Sequence, residues 1–220
     1  MAYTAYYRLN GDGVDAMGTY HLTNLNATTF ISGKFSSCAN FVAASNQELY
    51  VLNNLGITGG NITMSIWVNN TSQPAESKYF VHANQSSATN NVGNCFYYKT
   101  TGGAGKVYFD RVKYSVAFNE ATVMYTLTNG VWYNLIYTYD GSNVRGYING
   151  ALAAGPTASS GNGTSGGVDY FSIGNDYGGT TLWSDAKIDE VIVESRAWTA
   201  AQIKNYYNFS MGRYAPKMRW

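Results

Sequence analysis

The stretch Trp132 to Leu152 constrains the fold more than any other part of the chain. It reads WYNLIYTYDGSNVRGYINGAL, in which two apolar runs and a shorter third run are separated by Asp-Gly-Ser-Asn and Asn-Gly. Short segments of this kind between apolar runs are typical of tight hairpin turns, because glycine and asparagine tolerate the positive φ angles that these turns need. The stretch therefore predicts three consecutive antiparallel strands.

The first of these strands carries apolar side chains on both faces. Side chains alternate between the two faces of a strand, so residues two apart share a face. One face has Tyr133, Leu135, Tyr137 and Tyr139, and the other has Trp132, Ile136 and Thr138. A strand that is apolar on both sides is typical of the interior of a layered structure, so we expect it in the middle of a sheet.

Composition favours a single all-β domain and excludes two kinds of partner. Only 12% of the 220 residues are charged, while Tyr (20) and Gly (24) are abundant, which favours short strands and turns over helices. The net charge of +1 is too small for a surface that binds nucleic acid. No apolar run approaches the roughly 20 residues of a membrane-spanning helix, so we expect no membrane insertion. A large core needs no disulfide, and we expect Cys38 and Cys95 to be half-buried thiols, with one disulfide between them as the alternative.

The closing part of the chain predicts one short helix. Thr199 can cap its first turn, and Gln202, three residues later, can complete a capping box. The helix then buries Ile203, Tyr206 and Tyr207 on one face, because residues three and four apart lie on the same side of a helix.

Four segments together resemble the signatures of one known family. They are Tyr7 to Gly18, Gly33 to Phe41, Trp132 to Gly150 and Ala186 to Ile203. In this order they are similar to the laminin-G-like, concanavalin A-like lectin and glucanase jelly rolls. The resemblance implies an all-β, two-sheet antiparallel jelly-roll sandwich with one short C-terminal helix. Residues 1–210 would form this domain, and residues 211–220 would form a basic, aromatic C-terminal tail.

The resemblance also implies which segments meet. The first strand, within Tyr3 to Leu9, should pair close to the strand from Ile188 to Glu194. In the segment GKFSSCANF, Phe35, Ala39 and Phe41 should share one strand face and enter the core.

The same fold also carries glycoside hydrolases, whose signature is E-x-D-x-E on one strand face, with two carboxylates acting as nucleophile and acid. The nearest segment here has Glu190, Ile192 and Glu194, so an isoleucine stands where the central Asp belongs. On a regular strand Asp189 points to the opposite face. Neither histidine has the spacing of a zinc site or a triad. We therefore predict that the protein is not an enzyme.

A recognition surface is the alternative to catalysis. The resemblance implies a concave sheet and a loop rim, where aromatic rings stack on sugars and polar groups bind hydroxyls. The predicted carbohydrate-binding residues are Trp67, Tyr97, Tyr137, Tyr147 and Trp183. The alternative for each of them is packing in the core or between strands, because aromatic residues dominate buried area. A protein partner would use the same aromatic residues.

The resemblance further implies a structural Ca²⁺, held where a closing-strand Asp meets the first turn. Asp189 and Asp12, in the turn from Asn10, are the matching positions. Calcium takes six to eight oxygen ligands, and glycine-rich turns supply backbone carbonyls. The alternative is that Asp189 only accepts hydrogen bonds from backbone groups or an arginine.

These features together predict a non-catalytic structural or adhesion protein. The N-terminus lacks the pattern of a signal peptide, and the tail from Arg213 to Trp220 is basic and aromatic, which suits docking on a neighbouring subunit. We expect a virion (phage) decoration or fibre-associated protein that binds host or environmental glycans. Its partners would be glycans and neighbouring subunits, in a homo-oligomer or on a larger particle, at an extracellular or virion surface. The alternatives are a secreted carbohydrate-binding module and, less favoured, a glycoside hydrolase.

Overall fold

The computed structural model describes residues 3–57, 60–74, 76–85, 92–101, 104–113, 117–159, 169–175 and 182–212. These residues form fifteen strands and one α-helix, α1. In chain order the elements are β1 (Ala5–Tyr7), β2 (Thr23–Leu25), β3 (Thr29–Ser32), β4 (Ser37–Phe41), β5 (Glu48–Val51), β6 (Ile62–Asn70), β7 (Lys78–Gln85), β8 (Val92–Thr101), β9 (Ala104–Lys113), β10 (Ala117–Met124), β11 (Trp132–Tyr139), β12 (Asn143–Ile148), β13 (Ala151–Ala158), β14 (Asp169–Ile173), β15 (Ala186–Glu194) and α1 (Ala200–Gly212).

The strands form two antiparallel sheets that pack as a jelly-roll sandwich, as predicted. Sheet A has eight strands in the order β13-β12-β11-β6-β15-β4-β3, with β1 paired to β15. Sheet B has seven strands in the order β10-β9-β8-β7-β14-β5-β2. The prediction that the first and last strands meet is confirmed, because Tyr6 lies opposite Ile192 in the pairing of β1 with β15.

The core between the sheets follows the alternation expected of β11, and the neighbouring strand β6 alternates in the same way. The even-numbered apolar residues of β6 and the tyrosines and leucine of β11 enter the core cluster. Ile136 of β11 instead belongs to a second cluster on the outer face of sheet A. Both strands are almost entirely buried because α1 covers that outer face.

Helix α1 begins as the capping box predicts. The Thr199 backbone N–H donates to Gln202 Oε1 at 2.9 Å, and the Gln202 backbone N–H donates to Thr199 Oγ1 at 3.3 Å. Ile203 is fully buried against sheet A, and the ring of Tyr207 stacks on that of Trp67 with 5.9 Å between centroids. The helix ends at Gly212, two residues beyond the predicted domain end at 210. Residues 213–220 of the predicted tail lie outside the described residues.

The closing strand departs from the regular geometry that the sequence indicates. Asp189 pairs with Trp67, but the next pairing joins Ile192 to Ser65, so β15 uses one residue more than β6 between these points. The extra residue is accommodated at Glu190, whose φ is +51°. Such a bulge turns a side chain away from strict alternation. The expectation that Asp189 and Glu190 point to opposite faces is therefore wrong, because Asp189 pairs with outward-facing Trp67 and Glu190 lines a cavity on the same outer face.

Phe35 also differs from the prediction. Ala39 and Phe41 are in the core, but Phe35 precedes β4 and its ring meets Trp67 edge-on, with 5.5 Å between centroids. The chain bends before β4, so the strand alternation that places Ala39 and Phe41 inside does not extend back to Phe35.

Candidate functional site

Three tyrosines form a stacked row on the outer face of sheet B. Tyr97 lies opposite Tyr79 on one neighbouring strand and opposite Tyr108 on the other. The ring centroids of Tyr79 and Tyr97 are 4.9 Å apart, and those of Tyr97 and Tyr108 are 4.2 Å apart, with interplanar angles of 26° and 13°. We call Tyr79, Tyr97 and Tyr108 the tyrosine ladder. It faces away from the core, because the alternating partners on β8 and β9 are the core residues.

Two lysines extend the ladder with positive charge. The Nζ atoms of Lys106 and Lys99 lie 4.7 Å and 5.5 Å from the ring centroid of Tyr108. An ammonium group at this distance is attracted by the electron-rich face of the ring. The ladder therefore combines ring edges, phenolic hydroxyls and N–H donors within one short stretch of three strands, and stacking leaves Tyr97 and Tyr108 each 6% exposed.

A row of polar side chains runs across the same sheet beside the ladder. Ser172, His82, Cys95 and Asp110 lie opposite one another in turn on β14, β7, β8 and β9. All four are buried. Burial lowers the pKa of His82 to about 4, so its imidazole is neutral at physiological pH. This row is therefore a buried polar layer to which the histidine adds no positive charge at physiological pH.

Trp183 lies beside the start of β7. Its neighbours hold the backbone there, since Leu182 O accepts from the Tyr79 N–H at 3.3 Å and Ser184 N–H donates to Gly174 O at 2.8 Å. Trp183 is 9% exposed, and among the described residues its indole Nε1 has no hydrogen-bond partner. Because the Nε1 atom is closed to solvent, Trp183 does not present this donor at the surface.

The structure does not bring the five predicted carbohydrate-binding residues together. Tyr97 lies in the ladder, and Trp183 lies next to the strand that carries Tyr79. Because rings stack on both sides of Tyr97, it can offer a ligand its edge and hydroxyl but not a ring face. This differs from the face-on stacking that the prediction assumed.

The other three lie elsewhere, and the structure does not support them as surface stacking residues. Trp67 is 1% exposed, enclosed by Tyr207, Phe35 and the Lys34 Nζ. Tyr137 lies in the core and its hydroxyl donates to Asn94 Oδ1 at 2.8 Å. Tyr147 packs with Trp198 under α1. Alternation identifies which residues share a face, but it does not reveal which face a helix or a second sheet covers.

Tyr79 and Tyr108 are the ladder residues that sequence reasoning missed. A signal for Tyr108 was present, because a hairpin between β8 and β9 brings it opposite Tyr97. For Tyr79 no local signal existed. A bulge between Tyr79 and Val81 alters the register on β7, so simple counting along the strand does not find its partner.

The geometry at the predicted calcium residues favours backbone hydrogen bonds. Asp189 Oδ2 accepts from the N–H groups of Lys34 and Phe35, at 2.9 Å and 3.1 Å. Asp12 is exposed, and its Oδ1 accepts from the Val14 N–H at 3.1 Å. Burial, with a contribution from the charge of Glu190, raises the pKa of Asp189 to about 7. Within the described ranges no three His, Cys, Asp or Glu side chains are grouped to hold a metal. Asp189 Oδ1 is buried without a hydrogen-bond partner, so a Ca²⁺ held by Asp189 and backbone carbonyls stays a prediction.

The two closing-strand glutamates are engaged by protein groups. Glu194 Oε1 accepts from Arg196 Nε at 2.8 Å, and Glu194 Oε2 accepts from Trp198 Nε1. Glu190 Oε2 accepts from the Tyr6 hydroxyl. These carboxylates lie on the outer face of sheet A, away from the tyrosine ladder on sheet B.

The chain belongs to the concanavalin A-like lectin/glucanases superfamily, whose laminin-G-type family model matches residues 23–204. No individual curated protein matches the chain in sequence. None of the described helices has the length and apolar character that crossing a membrane requires.

Several solved structures share the fold. Domain 4 of AbnA, an extracellular GH43 arabinanase from Geobacillus stearothermophilus solved with arabinotriose, is 18% identical with a TM-score of 0.73, covering 92% of this chain and 97% of that one. The Trypanosoma rangeli sialidase in complex with 2,3-difluorosialic acid is 11% identical with a TM-score of 0.70, and the match covers 96% of this chain but 33% of the sialidase. The binding domain of Paraclostridial Mosquitocidal Protein 1 is 13% identical with a TM-score of 0.67, covering 91% of this chain and 52% of that one. At these identities the likeness shows a lectin/glucanase-like fold.

Proposed function

We propose that this chain is a non-catalytic glycan-recognition domain that binds sugar at the outer face of sheet B. The tyrosine ladder carries the proposal. Tyr97 and Tyr108 are each 6% exposed, so the ladder offers a sugar ring edges and hydroxyls, beside the adjacent lysine N–H groups. The binding of arabinotriose by the similar arabinanase domain supports this use of the fold.

The non-catalytic part of the proposal rests on the carboxylates. A retaining glycosidase needs two carboxyl groups about 5 to 5.5 Å apart that face the sugar. Glu194 instead accepts hydrogen bonds from Arg196 and the Trp198 indole, and Ile192 stands where the motif has its central Asp. Incubation with aryl glycosides and with oligosaccharides that the domain binds should release no product, and measurable turnover would overturn this part.

Binding at the ladder is tested by a glycan array followed by titration calorimetry with the strongest hit. Tyr108→Ala removes the end of the stack and should weaken binding about tenfold. Tyr108→Phe keeps the stack and removes one hydroxyl, so it should cost less. Val131→Ala, at a side chain that is 44% exposed just before β11 of the other sheet, is the control. Binding that Tyr108→Ala leaves unchanged would exclude this surface.

We further propose that the domain is displayed at an extracellular surface, on a particle such as a virion, beside other subunits. The edge strands β10 and β13 of the two sheets support contact with other subunits, because each carries an exposed large apolar side chain. Met124 is 62% exposed and Leu152 is 53% exposed. Light scattering of the purified chain tests the idea. An assembly that Met124→Ser or Leu152→Ser dissociates is expected, whereas a monomer at all concentrations would contradict contacts between copies.

A further inference from the structure

A cavity lies on the opposite side of the sandwich from the tyrosine ladder. It has a volume of about 260 Å³ on the outer face of sheet A, beside the C-terminal half of α1. Aromatic side chains from β1 and its approach, Tyr3 and Tyr6, form one wall, and Tyr206 and Phe209 of α1 form the other. A neighbouring cavity of about 350 Å³ shares Tyr3, Tyr206 and Phe209, so the two form one continuous groove.

The bulge in β15 directs a carboxylate into this groove. Glu190 is 3% exposed, lines the cavity, and accepts from the Tyr6 hydroxyl. Its φ of +51° lies in the left-handed region, which is an unfavourable backbone conformation for a residue with a Cβ. Strain of this kind is typical of functional sites, where it holds a side chain in a required direction.

Arg8 brings the opposite charge to the same cavity. Its guanidinium lies 5.4 Å from the ring centroid of Tyr6, and the side chain lines the wall with Glu190. One positive and one negative group make the wall neutral overall while offering both donors and acceptors. An exposed amide, Asn205, adds both functions in the adjoining part of the groove.

Phe209 supplies an open aromatic face at the mouth of the groove. It is 69% exposed, which is high for a phenylalanine and leaves a large apolar area in water. The next aromatic residue on the helix, Tyr206, is fixed by a side-chain hydrogen bond to Ser65 and by contact with the Trp198 ring at 5.2 Å. Phe209 is thus an apolar platform attached to a rigid support.

From these features we propose that the groove is a second saccharide site, specific for a neutral sugar. The sugar ring would stack on Phe209, and the sugar hydroxyls would form hydrogen bonds with the Glu190 carboxylate and the Arg8 guanidinium. A cationic ligand fits less well because Arg8 faces it, and an anionic ligand fits less well because Glu190 is buried in the same wall. The site goes beyond the function proposed above, because it lies on the other sheet and gives the chain two sugar sites on opposite faces.

The test uses the full chain on an array of neutral and sialylated oligosaccharides, followed by calorimetry with the strongest neutral hit and with choline chloride. Phe209→Ala should weaken the neutral hit about tenfold, and Phe209→Tyr, which keeps an aromatic ring, should not. Glu190→Gln should weaken it about tenfold or more, by removing a charge-assisted hydrogen bond. Met211→Ala, at a 39% exposed side chain of the same helix, should have no effect.

The outcomes separate this site from the tyrosine ladder. Loss of one of two binding events in Phe209→Ala, and of the other in Tyr108→Ala, supports both sites. Neutral-sugar binding that falls only in Tyr108→Ala overturns the groove and leaves the ladder. Binding that falls only in Phe209→Ala keeps the groove and removes the ladder. Preference for sialylated glycans or choline at the groove, or no binding of neutral sugars, overturns the inference. Thermal unfolding of each variant confirms that it is folded.

Discussion

At the scale of single residues, two buried titratable side chains have opposite effects on how stability changes with pH. Burial raises the pKa of Asp189 from 3.8 to about 7 and lowers the pKa of His82 from 6.5 to about 4. The folded protein therefore retains a proton at Asp189 that the unfolded chain releases, and it lacks a proton at His82 that the unfolded chain binds. As pH rises from 3.8 to about 7, the contribution of Asp189 to the free energy of unfolding falls. As pH rises from about 4 to 6.5, the contribution of His82 increases.

Asp189→Asn should remove the first of these effects. The amide oxygen can still accept from the N–H groups of Lys34 and Phe35, but the side chain no longer titrates. Stability of the variant relative to wild type should therefore rise between about pH 4 and pH 7, by at most about 4 kcal/mol. Urea unfolding at a series of pH values measures this difference. A constant difference would show that the pKa of Asp189 is not raised.

His82→Gln should have the opposite pH dependence. The wild-type imidazole is neutral in the folded protein, whereas in the unfolded chain it binds a proton below about pH 6.5. Its contribution to stability therefore increases as pH rises from about 4 to about 6.5. Glutamine does not titrate, so the variant lacks this pH dependence. Wild type should gain at most about 3 kcal/mol over the variant across that range. The same urea series measures it, and a gap that shrinks with pH would contradict the prediction.

At the scale of elements, α1 and the bulged strand β15 depend on each other. Residues 195–199 connect the end of β15 to the start of α1, and Thr63 of β6 holds this connection in place. Its hydroxyl donates to Arg196 O at 2.7 Å and accepts from the Trp198 N–H at 2.9 Å. The helix is short, so packing on sheet A and its cap, rather than intrinsic propensity, hold it in place.

Thr199→Ala should therefore weaken α1 at its start. The variant loses the hydroxyl that accepts from the Gln202 N–H, at a cost of about 1 kcal/mol for a helix cap. Thr199→Ser retains an accepting oxygen and should stay near wild type. Thermal unfolding measures the overall change, and faster amide hydrogen exchange in α1 identifies its place. Equal stability of the alanine and serine variants would exclude a capping role.

The two sheets approach each other closely at Gly146. A Cβ on this β12 residue of sheet A would lie 2.1 Å from the ring of Phe109 on β9 of sheet B. Gly146→Ala should destabilise the protein by about 1–3 kcal/mol, because the ring has no free space to enter. Gly60→Ala, where a Cβ would meet nothing within 4 Å, is the control in the same urea measurement. A neutral Gly146→Ala would mean that the sheets separate easily there.

At the scale of the whole molecule, the sandwich keeps its two cysteines apart. Cys38 lies on the outer face of sheet A and Cys95 on the outer face of sheet B, with the core between them. Packed sheets are about 10 Å apart, beyond the roughly 7 Å that a disulfide spans between Cα atoms. The structure accordingly has no disulfide between them. Both are fully buried, which agrees with the expected thiols and exceeds the half-burial predicted.

Both thiols should react only after unfolding. Burial raises the pKa of Cys38 to about 11, which lowers the thiolate fraction, and burial excludes the reagent. A chromogenic disulfide reagent should label two thiols per chain in denaturant and label the native protein slowly. A reducing agent should leave the melting temperature unchanged, and a lower melting temperature on reduction would reveal a disulfide.

Local periodicity explains why much of the fold was predictable. The alternation in β6 and β11, the Asn149-Gly150 turn with positive φ at both residues, and the capping box at Thr199 all depend on neighbours along the chain. Phe35 and Glu190 were placed wrongly because a bend and a bulge interrupt that regularity. The pattern of apolar residues indicates neither the bend nor the bulge.

The sequence by itself determined the all-β class, the hairpin order and the capped helix, since each follows from side-chain period and turn chemistry over a few residues. Only the tertiary structure decided which aromatic residues are covered. Tyr137 lies between the sheets, Trp67 lies under α1, and Tyr97 lies in a ladder on the outer face of sheet B. The physical reason is that all three occupy strands with the same alternation, while their exposure depends on which segment, distant in sequence, packs against each face.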